Sequence, residues 1–115
     1  MINLPYGSTV YIAGPMRGHE CYNFERFFHF AYMLRNSGYE VINPAQMDCE
    51  RMFEGWVFSE DKYEEVLAID LAAIATEADA LFVLTGWEIS EGANREIDLA
   101  ININIPVYYE DQRRK

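Results

Sequence analysis

The chain has little that could hold a metal, build a disulfide framework or grip a nucleic acid. Its 115 residues include two cysteines, Cys21 and Cys49, too far apart for a CxxC redox pair or a zinc knuckle. No metal site is expected, and both read as free thiols of a reducing compartment. Lys and Arg number nine against nineteen Asp and Glu, a net charge of −10. Phosphate backbones are bound mainly by clustered cations, so a nucleic-acid polymer is not an expected partner. The closing Arg113, Arg114 and Lys115 read as a solvated basic tail.

Long hydrophobic runs are missing too. The opening MINLPYGSTVYIAG has neither a charged start nor a long apolar stretch, so the reading is a cytoplasmic protein with no membrane anchor. Neither GxGxxG nor GxxxxGK[ST] occurs, which removes the main support for Rossmann-type dinucleotide binding and for P-loop hydrolysis. No cofactor is expected.

What is present is a core. Half the residues are hydrophobic and 15% aromatic, enough for one domain over residues 1–115. Short β-branched or aromatic runs at 9–13, 39–42, 80–84 and 105–109 are bounded by Gly, Pro or Asn. Helical periodicity marks 22–36, 62–77 and 92–103. The order β-α-β-α-β-α-β, wound by right-handed crossovers, predicts a small Rossmann-like α/β domain. Its sheet is a parallel one of four strands, order 2-1-3-4, with helices on both faces.

Ligands in such sheets bind beyond the carboxyl ends of the strands, here loops 14–18, 43–48 and 85–91. The connection 49–61 carries Met52, Phe53, Trp56, Val57 and Phe58, which fit a lid, a partner contact or packing on the core. Phe24, Phe27, Phe28, Phe30, Met33 and Leu34 spread over more of the first helix than one core contact needs. A homodimer interface would cover the excess; isolated exposure is the alternative.

Two carboxylates stand out. Glu96 falls on the helical face made by Ala93, Ile97, Leu99, Ala100 and Ile103, and Asp70 lies among Val66, Leu67, Ala73 and Ile74. An acid turned toward a core is costly unless it is hydrogen-bonded, protonated or open to a pocket. Either alone could cap backbone or sit at the edge of its stripe; two on successive helices point to a site.

The loops add binding candidates. In YIAGPMRG, residues 11–18, a strand runs into a turn where Gly14, Met16, Arg17 and Gly18 could receive a phosphate on backbone amides and a guanidinium. Asn43 ends the second strand. In GWEISEG, residues 86–92, Ser90 can offer a hydroxyl to a ligand or cap the next helix, and Gly92 follows it. Trp87 can stack on a planar base or anchor the core. His19 and His29 lack a nucleophile beside them and receive no catalytic role.

The tyrosine and glycine loop in VYIAGPMRG, Asp70 in AIDLAAI, the ADALFVL strand, and Ser90 six residues before Glu96 in SEGANREIDLA together carry a resemblance. Over nearly its whole length the chain resembles the nucleoside 2-deoxyribosyltransferase superfamily, close to the 2′-deoxynucleoside 5′-phosphate N-hydrolases and to short phage and bacterial relatives. That resemblance implies cleavage or transfer at the N-glycosidic bond of a 2′-deoxynucleoside or its 5′-monophosphate. Glu96 would be the nucleophile, with Asp70 and Tyr11 positioning it and the sugar. Arg17, Gly14, Gly18 and Ser90 would hold a phosphate. The chain departs from the pattern at Pro15, where those hydrolases carry a hydroxyl residue, so one contact and one amide donor are lost. A non-catalytic nucleotide-binding protein is the competing reading.

Overall fold

The first strand, β1 (Thr9–Ala13), alternates its side chains between two cores. Val10 and Ile12 pack with Phe27, Ala31 and Leu34, whereas Tyr11 and Ala13 pack with Ile74, Ile97 and Ala100. A strand covered on both faces must be apolar throughout, and all its residues from Val10 on are buried. The computed structural model describes residues 2–17, 20–57 and 59–111, and of residues 20, 21 and 60 the backbone only. Gly18, His19, Phe58, the basic tail and the Cys21 side chain, all named above, lie outside what is described.

Beside β1 stand β2 (Glu40–Ile42) and β3 (Ala80–Val83), and β4 (Val107–Tyr109) lies beyond β3. All pairings are parallel and the order is β2-β1-β3-β4, as expected. Asp79 fixes the start of β3: its Oδ2 accepts from the Thr9 amide at 2.8 Å while its own amide donates to the Thr9 carbonyl.

Among the described residues four α-helices connect the strands, one more than periodicity predicts. The first, α1 (Phe24–Asn36), begins two residues later than expected, because Tyr22 and Asn23 adopt positive φ. The buried Asn23 side chain instead donates to the Pro15 carbonyl at 2.9 Å and fastens the turn after β1. The additional helix is α2 (Pro44–Phe53), where a loop and a long connection are expected. Asn43 caps it, with Oδ1 accepting from the Ala45 amide at 3.0 Å, and Pro44 takes the first helical position, where a missing N–H costs nothing. The remaining two are α3 (Tyr63–Glu77) and α4 (Glu91–Asn102), which pack together over the Tyr11 side of the sheet. No helix among the described residues is long and apolar enough to cross a membrane.

Candidate active site

Strand order reverses about β1, so the connections leaving β1 and β3 run apart and open a crevice at their carboxyl ends. A cleft of about 270 Å³ lies there. The turn after β1 supplies Gly14, Met16 and Arg17, and α4 supplies Ser90, Gly92 and Glu96. From α3 come Tyr63 and Asp70, and from α2 come Asp48 and Met52. Pro44, Asp48 and Met52 recur every four residues, so one face of α2 forms a wall.

Glu96 and Asp70 line this cleft, and Tyr11, which does not line it, stands behind Glu96. Tyr11 is fully buried and its hydroxyl donates to Glu96 Oε2 at 2.5 Å. Glu96 and Asp70 are only 6% and 8% exposed, so water does little to support a charge on either. Burial lifts Glu96 well above the usual carboxylate range, the Asp70 charge adds to this, and the Tyr11 hydrogen bond opposes both. For Asp70, burial first and the Asp48 charge second push the pKa to about 7, against Arg51 and Tyr11. Asp70 Oδ1 has no hydrogen-bond partner among the described residues. Burial, then the Glu96 and Asp70 charges, hold the Tyr11 proton firmly on its phenol.

Such a cluster can hold one carboxyl group protonated near neutral pH beside another that accepts a phenolic hydrogen bond. Burial favours a proton on both, so either carboxyl can give a proton to a leaving group, and an ionised Glu96, its charge steadied by the Tyr11 hydroxyl, can attack an electrophilic carbon.

The other expected site residues divide. Gly14 lines the cleft, but a Cβ there would lie 2.9 Å from the Leu84 Cβ, so packing against Leu84, just past the end of β3, requires glycine at this point. Ser90 combines both readings: it lines the cleft, and its Oγ accepts from the Ala93 amide at 3.2 Å. Trp87 does not line the cleft; its ring lies 5.5 Å from that of Tyr109. Asn43 is spent on capping α2 and does not line it either. The aromatic lining comes instead from Tyr22, Phe27, Trp56 and Tyr63.

Asp48 and Tyr63 are absent from the sequence-derived candidates, and Met52 and Trp56 figure there only as a lid, a partner contact or core packing. Asp48 is held by Arg51 through an ion pair within α2, and the Arg51 guanidinium also lies over the Trp56 ring at 5.9 Å. The Asn-Pro pair at 43–44, a cap followed by a first-turn proline, is the signal that could have revealed α2 and with it Asp48.

No metal-binding cluster of His, Cys, Asp and Glu occurs among the described residues. No curated protein matches the chain. A family model described as a domain of unknown function, DUF4406, matches residues 8–109, a stretch holding every strand, every helix and every cleft residue named above. The chain belongs to the DUF4406 family.

Proposed function

We propose that the protein cleaves or transfers the N-glycosidic bond of a 2′-deoxynucleoside or its 5′-monophosphate, in the manner of the nucleoside 2-deoxyribosyltransferase superfamily. The observation that carries this reading is the Tyr11 hydrogen bond to buried Glu96 at a cleft shared with Asp70. A Glu96 carboxylate oxygen attacks C1′ of the deoxyribose, and the bond from C1′ to the base nitrogen breaks with its electron pair going to the base. Asp70 donates its proton to that base. The product is a glycosyl ester on Glu96, with Tyr11 holding the other carboxylate oxygen. Water, or the ring N–H of a second base, gives its proton to the Asp70 carboxylate as it attacks C1′ and frees Glu96. No cofactor takes part. The working form is a cytoplasmic homodimer, supported by the apolar side chains that α1 exposes.

The test is release of free base from a panel of deoxynucleosides and their 5′-monophosphates, followed by chromatography. Glu96→Ala is expected to reduce release by at least about a thousandfold, the scale of losing a nucleophile. No release from any compound, with Glu96→Ala indistinguishable from the parent, removes the catalytic reading. Nucleotide binding without release would leave a non-catalytic nucleotide-binding protein.

A further inference from the structure

We infer that Tyr63 is a specificity-determining residue of the cleft, its hydroxyl donating to the 5′-phosphate of the substrate. The identity of that ligand rests on the function proposed above; the place of Tyr63 rests on geometry. Tyr63 opens α3 and lines the cleft, yet its hydroxyl oxygen is buried with no hydrogen-bond partner among the described residues. Protein folds rarely leave a buried hydroxyl without an acceptor, so this donor is set for a group the protein does not itself supply.

Its surroundings indicate which group. A Cβ on Gly92 would stand 3.3 Å from the Tyr63 oxygen, so the first turn of α4 approaches the hydroxyl closely at a position without a side chain. The Arg17 guanidinium lies 4.3 Å from the centroid of the Tyr63 ring, bringing a cation from the β1 turn to the same wall. Burial and the Glu91 charge raise the Tyr63 pKa against the pull of Arg17, so the phenol keeps the hydrogen it would donate. A donor beside a guanidinium matches a phosphate oxygen better than a sugar hydroxyl, because charge assistance strengthens both bonds. Pro15 lacks an N–H, so the turn after β1 offers an anion one amide fewer. Tyr63 supplies a donor from α3, and Ser90, whose oxygen accepts from Ala93, still has its own hydrogen to give.

Tyr63→Phe keeps the ring that faces Arg17 and removes only the hydroxyl. Each deoxynucleoside 5′-monophosphate is compared with its parent deoxynucleoside. The expected result is a KM raised about tenfold for the monophosphate with kcat held, and a change under about twofold for the deoxynucleoside. An equal change on both, or none on either, overturns the inference. Gly92→Ala, which presses a methyl toward the hydroxyl, is expected to impair the monophosphate selectively as well. Calorimetry with the monophosphates separates this inference from the catalytic reading. If the parent binds them without cleaving, and Tyr63→Phe weakens that binding about tenfold, the subsite stands while the N-glycosidic chemistry falls. A parent that binds no monophosphate, or a variant that binds as tightly as the parent, overturns the subsite.

Discussion

At the scale of single residues, Asp70 shows what burial does to a carboxyl group. Its pKa of about 7 in the folded chain compares with roughly 4 for an exposed aspartate, so the native state binds its proton more tightly than the unfolded one. The stabilisation this gives is complete below about pH 4 and is lost as pH rises through about 7. Urea denaturation of Asp70→Asn, which lacks this titration, should gain on the parent by a few kcal/mol, order of magnitude, between pH 4 and pH 8. A constant difference between the two proteins over that range would mean Asp70 does not hold its proton. The same titration governs the proposed chemistry, since an acid that donates to the departing base must be protonated. Base release by the parent should decline above about pH 7, and Asp70→Asn should lose that limb together with about a hundredfold or more in rate. An unaltered alkaline limb in the variant would assign the proton to another group.

At the scale of elements, α2 and α4 differ in how well they can be read. The apolar stripe of α4 includes Ala93, Ile97 and Ala100, all buried, so its period is plain and Glu96 stands out as an intruder. Only Pro44 and Ala45 of α2 are buried, because its inner face lines the cleft and its outer face meets water. The Asn43-Pro44 pair also marks turns and the helix that follows is only ten residues long, which is why 43–53 reads as loop and Asp48 goes unnoticed. The cap at Asn43 is then the main local device holding this wall. Asn43→Ala should lower the unfolding free energy by about 1 kcal/mol in urea titration. Removing the buried Asn43 Nδ2, which has no partner among the described residues, offsets part of the loss. No change in the denaturation midpoint would show that Pro44 and the packing of Ala45 suffice.

At the scale of the whole molecule, the surface of α1 bears on assembly. Tyr32 is 67% exposed, with Phe28 and Met33 also on the surface, an apolar group that a lone domain leaves in water. Sedimentation velocity should report a dimer that Tyr32→Glu converts to monomer. A parent protein that sediments as a monomer at micromolar concentration discards the interface.

The sequence by itself determines the α/β alternation and the inward turn of Asp70 and Glu96, which follow from local periodicity. Right-handed crossovers narrow the parallel orders to a few, of which the expected β2-β1-β3-β4 is the one the structure adopts. Only tertiary structure decides that Tyr11 reaches Glu96 across 85 residues of chain, that Asp48 and Tyr63 share their cleft, and that Trp87 turns away toward Tyr109. A helix period states which face a side chain occupies. What stands opposite that face depends on where the sheet carries the neighbouring helices, and no local pattern encodes that distance.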